Sequence, residues 1–317
     1  MKSKQATVAT FILAMGLACT LVAWGKPLSV IGLFVVSGLA VGSLYALGGV
    51  GLVVLYRTTG VLNFASGAVG AAGVMLAWQL GQWGWYEPVT WFAGLALATG
   101  LSLFYGRFIA PHLAARDTVV KAVATLGFAL IVLGTTSFVW DDDVRSFTLP
   151  SDQMAIRLLG LRVTVTRLIV FLTTVALVIG IWAYLEHTRM GLQMRALAND
   201  RHISSLIGVR ILKVETIAWG MAGFIAGFTG LMFGDLVRLE PSIITFVVIP
   251  SIAAAICGRL DSLGMVLIGG LFIGVLESLL TLSPLLKSVR TVAPFVVAIA
   301  MLILLQSGNR LLFGRDV

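Results

Sequence analysis

The sequence predicts an all-α integral membrane protein that crosses the bilayer about ten times. Of its 317 residues, 59% are hydrophobic and only 11% are charged. The mean hydropathy is +1.02, which exceeds the apolar content of a soluble domain. Apolar segments of about 20 residues, the length that crosses the hydrocarbon core as a helix, recur along the whole chain. We therefore expect a single transmembrane domain over residues 1–317, with no separate soluble domain.

The candidate spans follow one another with short gaps. In chain order they are residues 7–24, 30–56, 60–80, 89–110, 118–139, 167–185, 213–234, 242–257, 263–282 and 289–307. The first could instead be a secretory signal peptide, because Lys2 and Lys4 precede an apolar run. We favour a retained helix, since no clear small-residue cleavage site follows Trp24. Pro250 predicts a kink in the eighth span, because proline disrupts the helical hydrogen bonds around it.

Lysine and arginine predict the orientation, since cytoplasmic loops carry an excess of both. Placing the polar segment 186–213 in the cytoplasm and alternating from there puts most basic residues on that side. Both termini then lie in the cytoplasm, and the longest loop, residues 140–166, lies outside. That loop contains several arginines, but long loops follow the charge rule less strictly.

Soluble-enzyme chemistry has no recognisable motif in this chain. The sequence contains no GxxxxGK[ST] phosphate loop, no HExxH and no GxSxG. Cys19 and Cys257 lie in separate spans and form neither a disulfide framework nor a metal-ligand pattern. We therefore expect no catalytic residue, metal or cofactor. The net charge of +8 comes from basic residues that flank helices, as topology signals and membrane-lipid contacts do, and we expect no nucleic-acid partner.

Small residues at a spacing of four predict close helix packing. They form the pairs Gly38 and Gly42, Ser66 and Gly70, Gly223 and Gly227, and Gly270 and Gly274.

The start of the third span also contains polar residues at membrane depth. Such residues are tolerated where they line a cavity or where unwound backbone lies beside protein. We therefore take Asn63, Ser66 and Gly67 as candidates for a translocation path. Glu277 is the chief ionisable residue within the spans and is a fourth candidate. For Glu277, contact with a neighbouring helix or a water-filled cavity is favoured over a proton relay, because no basic residue lies nearby in the sequence.

The segment 186–213 predicts a short cytoplasmic helix over residues 201–207. Asn199 or Asp200 is suited to the N-cap, and Gly208 to the left-handed residue that ends the helix. Ile203, Leu206 and Ile207 fall on one face. A helix this short is marginal alone in water, so it rests either on a partner protein or on the membrane surface.

Three blocks resemble the integral-membrane permeases of branched-chain amino acid ATP-binding cassette (ABC) importers. Residues 38–70, GLAVGSLYALGGVGLVVLYRTTGVLNFASGAVG, are similar to a Gly-Ser-Leu-Tyr-Ala-Leu run followed by Asn-Phe-Ala-x-Gly. Residues 189–210, RMGLQMRALANDRHISSLIGVR, resemble the cytoplasmic coupling segment. Residues 258–280, GRLDSLGMVLIGGLFIGVLESLL, resemble the Gly-rich turn, paired glycines and Leu-Glu of the penultimate helix.

This resemblance implies an ABC importer permease fold in a bacterial inner membrane. The implied partners are two cytoplasmic ATP-binding subunits, a second related permease or a copy of this chain, and an extracytoplasmic substrate-binding protein. ATP hydrolysis would belong to the partners. The residues implied to couple the permease to them are Arg195, Ala196, Asn199, Asp200, Ile203, Leu206 and Gly208.

The solute is less tightly constrained. Relatives carry leucine, isoleucine and valine, other amino acids, urea, amides or aromatic acids, and a charge-poor path suits a neutral or zwitterionic solute. A sugar permease is a further ABC alternative, which the Asn-Phe-Ala block argues against. Outside that class, a channel or a secondary transporter not driven by ATP remains open, but neither explains the structured cytoplasmic segment.

Overall fold

The structure, a computed structural model, describes residues 27–141, 143, 145, 154–158, 161–237, 239–283 and 286–313. The α-helices in these ranges are α1 Leu28–Thr59, α2 Ser66–Gln82, α3 Glu87–Phe104, α4 Thr118–Trp140, α5 Val165–His187, α6 Arg189–Asn199, α7 Arg201–Leu206, α8 Ile211–Leu236, α9 Pro241–Phe246, α10 Val248–Cys257, α11 Leu263–Leu280 and α12 Ala293–Phe313.

Shorter elements complete the chain. α3 continues into a π-helical turn, Tyr105–Ile109, and a 3₁₀ turn, Ala110–Leu113, and a 3₁₀ helix, Lys287–Val292, precedes α12. Strands β1, Ala155–Leu158, and β2, Leu161–Thr164, form an antiparallel hairpin in which Ala155 pairs with Thr164 and Leu158 with Leu161.

The prediction of an all-α multi-pass membrane protein is confirmed. Among the described residues, six helical segments are long and apolar enough to cross a membrane: Ser29–Thr59, Glu87–Leu113, Thr118–Trp140, Val165–His187, Ile211–Leu236 and Leu263–Leu280. Pro241–Cys257 and Ala293–Ile303 are shorter apolar helical segments. The third expected span contains the 17-residue helix α2. The first expected span, with Cys19 and the signal-peptide alternative, lies outside the described residues, as do both termini.

The predicted kink in the eighth span is present as a break between α9 and α10. The ring of a proline collides with the carbonyl group four residues earlier, and for Pro250 that residue is Phe246, at which α9 ends. Pro250 itself lies in the first turn of α10, where its missing N–H is tolerated. The span is therefore two short helices joined at Val247. Cys257, at the end of α10, is a buried free thiol.

Small residues bring the helix backbones of the bundle into contact, as predicted. A Cβ on Gly42 of α1 would lie only 2.7 Å from the carbonyl oxygen of Gly270 in α11. On the other side of the bundle, a Cβ on Gly227 of α8 would lie 2.8 Å from Cβ of Ala98 in α3. Helix backbones at this separation gain van der Waals contact, which drives association where lipid removes the hydrophobic effect between helices.

Candidate functional site

The candidate site is a small cavity in the middle of the bundle, between α1, α2, α8, α9 and α10. Its volume is about 30 Å³, room for about two water molecules. Three of the four predicted path residues line it. The full lining is Gly48, Gly51, Leu52, Asn63, Ser66, Gly67, Gly70, Ala222, Ile225, Ala226, Thr229, Gly230, Phe233, Ile244, Val247, Val248 and Ser251.

The first side of the cavity is made by the irregular segment 60–65 between α1 and α2 and by the first turn of α2. α1 ends at Gly60, which has a left-handed φ of 70° and whose N–H donates to the carbonyl oxygen of Tyr56 at 2.8 Å. Residues 61–63 then run without regular structure, and α2 begins only at Ser66. Thr125 of α4 accepts a hydrogen bond from the N–H of Phe64 at 3.1 Å and donates to the carbonyl oxygen of Leu62 at 2.9 Å. A neighbouring helix thus satisfies the unwound backbone, as the interior of a membrane protein requires.

Asn63 shapes the turn that starts α2. The side chain is buried, and its Oδ1 accepts a hydrogen bond from the N–H of Ala65 at 3.0 Å. The N-terminal end of α2 has no side-chain cap, so its first N–H groups are without intrahelical partners beside the cavity. A helix N-terminus of this kind carries a partial positive charge.

The opposite side of the cavity is made by α9, α10 and the break between them. A Cβ on Gly67 would collide with the carbonyl oxygen of Thr245, so the first turn of α2 and the last turn of α9 are in direct backbone contact. On this side Ser251 lines the cavity, and its hydroxyl donates to the carbonyl oxygen of Val247 at 3.0 Å.

Glu277, the fourth predicted path residue, does not line this cavity. Its carboxylate accepts a hydrogen bond from the hydroxyl of Tyr45 in α1 at 2.9 Å. The ring of Tyr45 stacks on Phe233, with centroids 5.8 Å apart, and Phe233 does line the cavity. Glu277 therefore contacts Tyr45, which in turn contacts Phe233 of the cavity wall.

Sequence reasoning did not single out Tyr45, Phe233 or Ser251. Tyr45 lies within the Gly-Ser-Leu-Tyr-Ala-Leu run, which was the available signal. Phe233 and Ser251 lie among apolar residues whose pattern gives no sign of the cavity.

The polar segment 186–213 contains two short helices, α6 and α7, rather than one. Thr188 caps α6 by accepting a hydrogen bond from the N–H of Gly191 at 3.0 Å, a cap that the sequence analysis missed. Met194 and Leu197 of α6 are buried within the same cluster of side chains as Leu55 of α1 and Val214 of α8. α6 is thereby anchored to the bundle.

α7 has the predicted ends. Asp200, not Asn199, is its N-cap, and Oδ1 accepts from the N–H of Ile203 at 2.8 Å. Gly208 has a φ of 84°. The apolar face points outward: Ile203, Leu206 and Ile207 are 56%, 74% and 70% exposed.

The remaining predicted coupling residues, on α6, have different surroundings. Asn199 is exposed and Ala196 is half-buried. Arg195 pairs with Glu186 at 2.8 Å and lines a cavity of about 590 Å³ together with Arg57 and Asp261. The structure therefore joins Arg195 to the ends of α1, α5 and the α10–α11 turn, whereas the exposed apolar face belongs to α7.

Comparisons with known proteins identify a family and several relatives. The family described as branched-chain amino acid transport system, permease component, matches residues 34–305. The high-affinity branched-chain amino acid transport system permease protein LivH of Escherichia coli (strain K12) is 22% identical over 288 residues, covering 86% of this chain and 92% of that protein. The probable branched-chain amino acid transport permease protein LivH of Methanocaldococcus jannaschii is 29% identical over 245 residues, covering 73% and 75%.

Two further proteins were found. The permease protein BraD of Pseudomonas aeruginosa, of a high-affinity branched-chain amino acid transport system, is 23% identical over 257 residues, covering 77% of this chain and 84% of that protein. Among solved structures, PsaBC from Streptococcus pneumoniae in complex with Fab matches 95% of both chains at 14% identity with a TM-score of 0.44. The family match includes both the central cavity and segment 186–213, and the chain belongs to the family of permease components of branched-chain amino acid transport systems.

Proposed function

We propose that this chain is the membrane subunit of an ABC importer and that it conducts a branched-chain amino acid or a related small zwitterionic solute through the central cavity. The observation that carries this proposal is the backbone contact, beside that cavity, between the first turn of α2, which follows an irregular segment, and the last turn of α9, which precedes the break at Val247. Discontinuous helices at the centre of a membrane protein are a recurring way to present backbone groups to a solute.

The cavity suits the two halves of such a solute. The uncapped N-terminus of α2 offers N–H groups and a partial positive charge to a carboxylate. Apolar side chains from the other helices surround an aliphatic side chain; they are Leu52, Ile225, Phe233, Ile244, Val247 and Val248. At about 30 Å³ the cavity is far too small for an amino acid. Passage therefore requires the start of α2 and the end of α9 to separate.

Asn63, Ser66 and Gly67 are the residues we assign to the path. Gly67 permits the backbone contact between α2 and α9, and the two helices separate at this contact when the path opens. We assign Glu277 a positioning role, because it fixes the hydroxyl of Tyr45, whose ring rests on Phe233 of the cavity wall.

Coupling to ATP is assigned to α6 and α7. The exposed face formed by Ile203, Leu206 and Ile207 docks on an ATP-binding subunit. An ion pair between Arg201 of α7 and Glu215 of α8 carries the motion to α8, which lines the cavity. Arg195 carries it to α5 through Glu186, and Ala196, Asn199, Asp200 and Gly208 set the geometry of the two helices.

The assembly we propose has two cytoplasmic ATP-binding subunits, a second permease or a copy of this chain, and an extracytoplasmic substrate-binding protein. Residues 1–317 form one transmembrane domain in a bacterial inner membrane, with both termini and segment 186–213 in the cytoplasm and loop 140–166 outside. A cysteine at position 198, exposed on α6, tests the orientation, because a membrane-impermeant thiol reagent then labels it only from the cytoplasmic side.

The test of function is purification of the wild type and of Asp200→Lys from the native host in mild detergent, followed by reconstitution into proteoliposomes. We expect ATP-binding subunits to copurify with the wild type and to be depleted with Asp200→Lys. ATP should drive uptake of leucine, isoleucine or valine. Uptake of urea, an amide or a sugar instead would correct the solute. A chain that purifies alone and transports along an ion gradient without ATP would replace the proposal with a secondary transporter.

A further inference from the structure

The five lysine and arginine residues of segment 186–213 divide into two groups. Arg195 and Arg201 have carboxylate partners, Glu186 and Glu215. Arg189, Arg210 and Lys213 are exposed and make no ion pair within the part of the chain that the structure describes.

The three unpaired cations line a single cavity of about 310 Å³ at the junction of α6 and α8. The rest of its lining is Met190, Gln193 and Gly208, so it contains no acidic side chain. Three positive charges around one concave surface produce a strongly positive local potential, which favours an anion.

An apolar groove lies along α8, beginning about one helical turn after Lys213. Ile217, Gly220 and Phe224 follow Lys213 by 4, 7 and 11 residues, so all four lie on one face of the helix. The three apolar residues belong to a groove of about 400 Å³ whose lining is entirely non-polar; the others are Leu103, Leu177, Ile181, Met221 and Ile225. The groove is about 12 Å long from Ile217 to Ile225, at 1.5 Å per helical residue.

We propose that this composite surface binds one anionic phospholipid, with the phosphate in the cavity of Arg189, Arg210 and Lys213 and one acyl chain in the groove along α8. Basic pockets at the ends of transmembrane helices select anionic headgroups. Inorganic phosphate accounts for the cavity but leaves the groove empty, and a zwitterionic lipid accounts for the groove but leaves three cations uncompensated. Only an anionic lipid uses both. The proposal depends on the membrane location of the chain and not on the solute that it transports.

The experiment is native mass spectrometry of the full chain with the subunits that copurify with it, delipidated in mild detergent and titrated with dioleoylphosphatidylglycerol or dioleoylphosphatidylcholine. We expect preferential retention of phosphatidylglycerol. Arg210→Gln/Lys213→Gln should weaken that binding about 25-fold, since each basic residue near an anionic surface contributes about 5-fold. The matched control, Arg116→Gln/Lys121→Gln, removes two charges elsewhere in the chain and should bind as the wild type does. Equal binding of the two lipids, or equal losses in both double variants, would overturn the site.

The groove is tested separately by Gly220→Leu, which fills it. The nearest atom to a Cβ at Gly220 is Cδ2 of Leu103, 3.1 Å away at the end of a flexible side chain, so the variant is compatible with folding. We expect weaker phosphatidylglycerol binding, while Gly127→Leu on the open face of α4 changes nothing. Glycerol 3-phosphate distinguishes the two sources of phosphate: displacement of phosphatidylglycerol at equal concentration would show that the acyl groove adds no affinity and would refute the proposal.

Discussion

The contact between α1 and α11 and the pair of short helices α6–α7 are built on opposite principles. In the first, glycines allow two long helices to meet backbone to backbone, as at Gly38, where a Cβ would lie 2.6 Å from Cα of Val275. In the second, two short helices hold their shape through side-chain caps at Thr188 and Asp200; α6 is anchored to the bundle, whereas the apolar face of α7 is exposed.

The difference distinguishes a rigid contact, between α1 and α11, from a pair of helices, α6 and α7, that can respond to a partner. Backbone contact leaves no room for a side chain to give way, so the α1–α11 contact has one packing arrangement. A short helix with exposed apolar residues gains its stability from whatever it docks on. A membrane subunit that responds to a partner needs both, a fixed frame and a marginal element attached to it. The predictions below test this division, beginning with the largest expected effect.

Gly270→Val tests the frame. A Cβ at this position would lie 2.5 Å from the backbone nitrogen of Ala46, and overpacking of this kind destabilises by about 3 kcal/mol. Gly264→Val lies on the same helix with nothing within 4 Å of its Cβ, and it controls for the exchange of glycine for valine in a helix. We expect thermal unfolding in detergent to begin at a clearly lower temperature for Gly270→Val only. Equal midpoints for the two variants would mean that α1 and α11 can separate freely.

Gly208→Val tests the responsive element. With φ at 84°, a β-branched residue is disfavoured by about 1–2 kcal/mol, although nothing lies within 4 Å of the new Cβ. We expect normal insertion and an unchanged unfolding midpoint but loss of ATP-linked uptake. Gly208→Asn, which tolerates this conformation, should retain most of the uptake. Normal uptake by the valine variant would remove Gly208 from coupling.

Sequence reasoning reached the local features of both regions but not the contacts between residues far apart in the chain. Glycine spacing predicted the helix contacts, and Asp200 and Gly208 predicted the ends of α7, because these signals are local in the chain. The contact between Gly67 and Thr245 joins residues far apart in sequence, and the apolar composition of the two segments does not predict it. The same holds for the hydrogen bond between Tyr45 and Glu277, and for the separation of Glu277 from Asn63.

Asn63→Leu tests the central cavity. The variant leaves the buried N–H of Ala65 without its acceptor, a loss of about 1–3 kcal/mol, and it places an apolar group in the path. We expect uptake to fall at least about 10-fold, which corresponds to about 1.4 kcal/mol, with the ATP-binding subunits still attached. Asn63→Ser can keep the hydrogen bond to the N–H two residues on but lacks the amide. Full uptake with serine would limit Asn63 to shaping the turn, and full uptake with leucine would exclude it from the path.

Asp200→Ala has the smallest expected effect and the most specific one. Loss of an N-cap destabilises a helix by about 1 kcal/mol, and α7 has only 6 residues over which to compensate. The cap lies outside the bundle, so the unfolding midpoint should stay where it is while ATP-linked uptake decreases several-fold. Asp200→Asn preserves the cap without the charge and should match the wild type. If both variants lose uptake equally, the carboxylate acts through its charge on a partner, and the order of α7 is supplied by docking.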